Sequence, residues 1–368
     1  MFERIMRQRL ALFVLALAIL ATSAIAATAP KNVILLIGDG MGIGSVVATR
    51  YAIPGRDGRL AMETMPYVGY SSTHSANRLV TDSAAGGTAL ATGVKTNNGT
   101  ISLAPDGKRV KTILELAREM GKSTGIISTK HITDATPAVF VSHVSSRSKL
   151  EDIAAQMVRS RVDVVLGGGK RYFVPKSKDG ARADEVDLLK EAAQRGFAVL
   201  DNAQDLANCT SPKYIGLFAD NVMTSDRPEP TIEEMTAKAI STLAKNYKGF
   251  FMMSEGGKID SGCHGNDLGM TIKETRMFDD AVKAALDFAK ADGQTLVVVT
   301  ADHDTGGLAV LDPNDDNPKL TAGWSTKGHS ALYVPVFAYG PGAERFTGCF
   351  ENTHIPNVVA SLWGKKLN

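Results

Sequence analysis

Five stretches of the chain carry adjacent apolar residues instead of alternating ones: 31–37 (KNVILLI), 123–129 (STGIIST), 162–166 (VDVVL), 249–254 (GFFMMS) and 295–300 (TLVVVT). Short continuous runs of this kind, rich in β-branched residues, suit strands buried on both faces of a parallel sheet. Between them the period lengthens to that of a helix, over 112–120, 149–159, 231–247 and 271–290. The last begins with Thr271-x-x-Glu274, the spacing of a capping box. Alternation of strand and helix predicts an α/β chain, a three-layer α/β/α sandwich around a central, mostly parallel sheet. Such sheets bind ligands beyond the carboxyl ends of their strands.

Polar residues of one kind gather where those strands end. Asp39 follows the first, Asp134 and Thr136 the second, Glu255, Asp260 and His264 the fourth, and Asp302 and His303 the fifth. Gly328-His329-Ser330 adds another imidazole. The glycines after the first strand fall at alternate positions (Gly38, Gly40, Gly42, Gly44), which excludes the G-x-G-x-x-G spacing of a dinucleotide site. Carboxylates with imidazoles suit zinc, and carboxylates with a hydroxyl and water suit magnesium. Singly, each of these residues is more often a cap or a turn residue; together, at four strand ends, they predict a metal site.

Thr81 to Thr96 (TDSAAGGTALATGVKT) supplies a nucleophile for it. Asp82 and Ser83 precede small residues able to form a closely packed helix, and a Ser at a helix N-terminus lies where unpaired N–H groups favour an anion. A Ser in that place is also an ordinary N-cap, so its reading as a nucleophile depends on the metal pattern.

Residues 1–26 read as a secretory signal, with Arg4, Arg7 and Arg9, an apolar run from Leu10 to Leu20, and Ala24-Ile25-Ala26 as a cleavage site. Without them the chain has 38 basic and 38 acidic residues, so the net charge of +2 belongs to the signal. A neutral mature chain gives no argument for binding nucleic acid or an acidic membrane. Residues 27–368 read as one domain with no internal repeat. Residues 170–230, charged and proline-containing with one helix near 183–195, and the polar loop 312–327 read as elaborations that cover the site. Cys209, Cys263 and Cys349 cannot all pair; an exported chain admits a Cys209–Cys349 bridge, which the sequence leaves open.

From Lys31 to the C-terminus the chain resembles the bacterial alkaline phosphatases, through VILLIGDGMG, TDSAAGGTALATGVKT, TDATPAVFVSHVSSR, EGGKID with His264, TADHDTGG and GHS, in that order. The resemblance implies a periplasmic or secreted metal-dependent phosphomonoesterase of broad substrate range that acts through a phosphoserine at Ser83 and forms a homodimer. It implies two zinc ions, one on Asp39, Asp302, His303 and the Ser83 oxygen and one on Asp260, His264 and His329. It further implies one magnesium ion bridged by Asp39 and completed by Thr136, Glu255 and water. Arg147 would clamp two phosphate oxygens, with Asp82 orienting it, and Asp134 would be the acidic partner beside the magnesium.

Ser261 departs from the pattern, because the best-known bacterial member has Lys directly after the aspartate that matches Asp260. A serine is too short and uncharged to reach phosphate, which predicts weaker product inhibition and a partly exchangeable third metal. Two other metallohydrolases, a sulfatase and a phosphodiesterase, compete with this reading. Ser83 is followed by Ala84-Ala85-Gly86 instead of the sulfatase frame, and a diesterase would tolerate a bulky second ester group and would not need Arg147 to hold two free oxygens. A catalytically silent binding protein is a third alternative, but none of the expected ligands is missing.

Overall fold

The computed structural model describes residues 29–311 and 320–368; the signal predicted at 1–26 and residues 312–319 of the loop predicted at 312–327 lie outside the described residues. The strands are β1 (Asn32–Gly38), β2 (Tyr67–Ser72), β3 (Ser123–His131), β4 (Val164–Gly168), β5 (Ala198–Leu200), β6 (Tyr214–Leu217), β7 (Phe250–Gly256), β8 (Thr295–Thr300), β9 (Asp304–Thr305), β10 (Leu308–Leu311), β11 (Thr321–Trp324), β12 (His329–Ser330), β13 (Val334–Tyr339) and β14 (Gly348–Glu351). Ten of them form one sheet in the order β14-β2-β13-β8-β1-β7-β3-β4-β6-β5. Only β13 runs antiparallel to its neighbours β8 and β2; every other pairing is parallel.

All five predicted strands are present, and their residues alternate between two cores. Val33, Leu35 and Ile37 of β1 pack with the helices Ser83–Thr92, Ile113–Glu119, Leu150–Arg159 and His354–Leu362 on one face. Ile34 and Leu36 pack on the other face with Ile232–Leu243 and Leu268–Asp292. A strand that must face apolar surface on both sides has no polar alternation to show, which is why these runs were continuous in sequence.

Three features depart from expectation. The helix predicted from Thr271 begins at Leu268, capped by Asp267, which accepts from Met270 N–H. Thr271 therefore lies inside the helix, its hydroxyl donating to the Asp267 carbonyl at 2.8 Å, while Glu274 pairs with Lys258 at 3.1 Å. An earlier capping residue was available and the helix extended to it. Residues 170–230 hold two α-helices, Leu188–Gln194 and Ala203–Asn208, and supply β5 and β6 to the sheet edge. Strands of three and four residues are too short to show a period. Finally, the Cys209–Cys349 bridge does not form. Cys349 is on the edge strand β14, Cys209 is half-buried directly after the helix Ala203–Asn208, and all three thiols are free.

Candidate active site

β1, β7, β3 and β8 are adjacent, and their carboxyl ends deliver the residues picked out above. Asp39 leaves β1 through Gly40, which has φ +67°, a conformation costly for other residues. A Cβ there would also lie 2.9 Å from Asp260 Oδ1. Gly40 N–H donates to Asp302 Oδ1 at 3.1 Å, tying the end of β1 to the residue beyond β8. Asp39, Asp302 and His303 are wholly buried, and their ligand atoms lie within 4.8 Å of one another. Those of Asp260, His303 and His329 do so too. His264, one turn after Asp260 on the helix Ile259–His264, brings its Nε2 to 3.2 Å from Asp260 Oδ1 and 3.2 Å from His329 Nε2.

The three imidazoles are oriented alike by partners that the sequence did not reveal. His264 Nδ1 is 2.5 Å from the Lys327 carbonyl and His329 Nδ1 is 2.8 Å from the Thr81 carbonyl. A carbonyl can only accept, so Nδ1 carries the proton in each and Nε2 faces the site. The Thr305 hydroxyl donates to Asp260 Oδ1 at 2.8 Å and receives His303 Nδ1–H at 3.2 Å, with the same result. Three inward Nε2 atoms among carboxylates form a metal-ligand array. Asp39 Oδ1 and Glu255 Oε1 are buried without a hydrogen-bond partner, which a cation would remedy. The residues present therefore fit metal ions.

Ser83 opens its helix as the first helical residue. Asp82, not Ser83, is the N-cap, accepting from Ala85 N–H at 3.0 Å, so the Ser83 hydroxyl is spared that duty and lies 3.2 Å from His303 Nε2. The small residues after it have a use: a Cβ on Gly86 would come 2.6 Å from the Asp302 carbonyl oxygen, so glycine lets the helix approach the ligand loop. The other oxygen of Asp82 accepts from Gly99 N–H at 3.0 Å and from Arg147 at 3.3 Å, and Asp134 holds the second Arg147 nitrogen at 3.0 Å. A planar guanidinium fixed on two carboxylates, one of them the residue before Ser83, matches the oxygens of a phosphoryl group.

That arrangement has known relatives. The alkaline phosphatase family model matches residues 30–315 and 308–364. Alkaline phosphatase 4 of Bacillus subtilis (strain 168) is 34% identical over 90% of this chain and 88% of its own length. The chain belongs to the alkaline phosphatase family. It is a hydrolase of phosphate monoesters. The alkaline phosphatase of the Antarctic bacterium TAB5 superposes with a TM-score of 0.83 at 38% identity, covering 90% of this chain and 98% of that one. A mutant of that enzyme, described with Mg bound in the M3 site, superposes with a TM-score of 0.81 at 37% identity over 92% of this chain and 99% of its own.

Electrostatics divide these clustered carboxylates and imidazoles into two kinds. Burial pushes the Asp39 carboxyl up to about 8, reinforced by the Asp302 charge, and pushes Asp302 up to about 7. Burial also lifts Glu255 well above its ordinary value and lowers His303. In the outer group, the hydrogen bond to Asp260 raises His264 to about 9, while burial and the neighbouring His303 lower His329 to about 4. Burial works to raise Asp260, but the His264 hydrogen bond and the Lys130 and His303 charges overcome it and hold the carboxyl below its ordinary range.

Of the remaining residues singled out, Thr136 is buried with its hydroxyl 3.4 Å from Asp302 Oδ2, and Ser261 is exposed on the outer side of its helical turn. His143 stays out of the site, bonded to the Ser102 carbonyl at 2.8 Å and Glu115 at 3.2 Å. Lys130 was missed and lies inside it, Nζ 2.7 Å from Asp39 Oδ2 and 3.3 Å from Asp260 Oδ2. Its signal was available: a lysine at the end of a buried strand, four residues before Asp134.

Proposed function

We propose that the chain hydrolyses phosphate monoesters through a phosphoserine on Ser83, at a centre of two zinc ions and one magnesium ion. The observation that carries this reading is the Ser83 hydroxyl, freed from capping by Asp82 and set 3.2 Å from a ligand-array imidazole. Asp39, Asp302 and His303 with the Ser83 oxygen would hold one zinc, Asp260, His264 and His329 the other, and Asp39, Thr136 and Glu255 the magnesium. When bound, these ions lower the cost of an alkoxide on Ser83 and of negative charge on the leaving oxygen.

The chain's own groups do the rest. Ser83 Oγ, aligned by the helix N-terminus and giving its proton to solvent, attacks phosphorus as the ester P–O bond breaks, and the departing alkoxide takes a proton from water. Arg147, held by Asp82 and Asp134, binds two equatorial oxygens and keeps the phosphoryl group in line. Water then cleaves the Ser83 O–P bond and releases inorganic phosphate. Little in this scheme grips the alcohol, so the substrate range is broad. Export to the periplasm or medium and assembly as a homodimer belong to the same reading; among the described residues no helix is long and apolar enough to cross a membrane.

The test combines elemental analysis with p-nitrophenyl phosphate turnover before and after chelation, and mass spectrometry of acid-quenched reactions. Two firmly held zinc ions per chain, with one magnesium taken up from magnesium-containing buffer, activity lost on chelation, and a phosphoryl adduct on Ser83 that is absent from Ser83→Ala are expected. Full activity in Ser83→Ala would overturn it.

A further inference from the structure

Asp39 divides its two oxygens. Oδ1 lies 3.5 Å from His303 Nε2, toward the inner metal group, whereas Oδ2 lies 2.7 Å from Lys130 Nζ. The same ammonium lies 3.3 Å from Asp260 Oδ2 and 3.6 Å from Asp134 Oδ2, so carboxylates arriving from three strand ends converge on one nitrogen. The stem has room because residue 257 is glycine: a Cβ there would fall 2.9 Å from Lys130 Cγ and 3.3 Å from the Glu255 carboxyl carbon. The lysine therefore passes beside Glu255 and ends at the oxygen through which Asp39 would reach a third ion.

We propose that Lys130 determines metal occupancy at that third position: its ammonium supplies the cation there, and magnesium enters the zinc-loaded protein only in competition with the chain's own side chain. This inference rests on the metal reading above. A magnesium ion sits about 2.0–2.1 Å from its oxygens and demands near-octahedral room, which an ammonium on the same carboxylate oxygen denies it, by space and by like charge. For magnesium to bind, Lys130 must swing away and leave Asp134 to Arg147 alone. The third position then stays cationic whether or not magnesium is present, and Asp39 and Asp134 are never left unpaired.

The test measures metal binding and not turnover. Wild type, Lys130→Ala and Lys130→Met, the last keeping most of the stem volume, are loaded with zinc to two ions per chain. Magnesium is then titrated by calorimetry, with Tm against magnesium concentration as an independent readout. The expected result is a magnesium Kd tighter by about tenfold or more in both variants, as follows from removing a like charge a few ångströms from the ion, while Lys130→Arg behaves as wild type. Equal magnesium affinity in wild type and either folded variant overturns the inference. So does a third ion retained by wild type after dialysis as firmly as its two zinc ions, a result that needs no variant. Wild type that retains no zinc fails the metal reading itself, and this inference with it.

Discussion

The inner group, Asp39 with Asp302 and His303, and the outer group, Asp260 with His264 and His329, use the same side-chain types in opposite electrostatic states. The inner residues are wholly buried, and burial drives their carboxyls toward the neutral form. In the outer group His264 is 41% exposed, and its Nε2 lies 3.2 Å from Asp260 Oδ1, a contact that pushes the imidazole up to about 9 and helps hold the Asp260 carboxyl below its ordinary range. The outer carboxylate is thus paired within its own group, whereas in the inner group Asp39 Oδ1 is buried without a hydrogen-bond partner and Oδ2 turns to Lys130. Burial separates them, and the same side chains, when wholly buried, are left less compensated by their own neighbours than the copy with a half-exposed imidazole.

The sharpest way to break this comparison is to remove one member of each group. Ser83→Ala and Asp302→Ala should each reduce kcat for p-nitrophenyl phosphate on the order of a thousandfold or more, because nucleophile and inner ligands act as a unit. His264→Ala should cost less, about 10–100-fold, and be partly restored by excess zinc. Equal losses at Asp302 and His264 would erase the distinction.

Next comes Arg147. Replacing a bidentate guanidinium by lysine should lower kcat/KM by about 10–100-fold, with inhibition by inorganic phosphate weakened in parallel. An unchanged phosphate inhibition constant would place the arginine outside the phosphoryl site.

Chelated protein sharpens the comparison through pH. Asp39 and Asp302 have folded-state values raised to about 8 and about 7 from an ordinary 3.8, so the folded state holds more protons than the unfolded state between these limits. Stability from this group is full below the ordinary value and is lost as pH rises toward 8. The Tm of metal-free protein should therefore fall between pH 5 and pH 8, and zinc should flatten the slope; a Tm that rises over this range after chelation would contradict the assignment. The smallest effect lies in the scaffold. Thr231 caps the helix Ile232–Leu243 with a full capping box to Glu234, and Thr231→Ala should cost about 1 kcal/mol, a Tm change of a few degrees with kcat untouched.

The doubly buried strands were legible because a strand covered on both faces must be apolar throughout. Asp39, Asp302 and His303 were legible as well, since polar residues directly after such strands have one place to go. The edge strands β5 and β6 were not, being too short for a pattern, and neither was the start of the helix at Leu268, where Thr271-x-x-Glu274 offered a cap that Asp267 pre-empted. Cys209 and Cys349 show the limit of counting: nothing in their spacing reveals that one follows a helix and the other lies on an edge strand, both as free thiols.

The sequence by itself determined the layered α/β architecture, the family, and the set of carboxylates, imidazoles, serine and arginine available for chemistry, because these follow from periodicity and motif, which are local. Only the tertiary structure decided which Nε2 atoms face inward, that Asp82 and not Ser83 caps the helix, and that Lys130 reaches Asp39, Asp134 and Asp260. Those outcomes depend on carbonyls, hydroxyls and carboxylates from strand ends far apart in the chain, brought within hydrogen-bond reach when the parallel strands align their carboxyl ends.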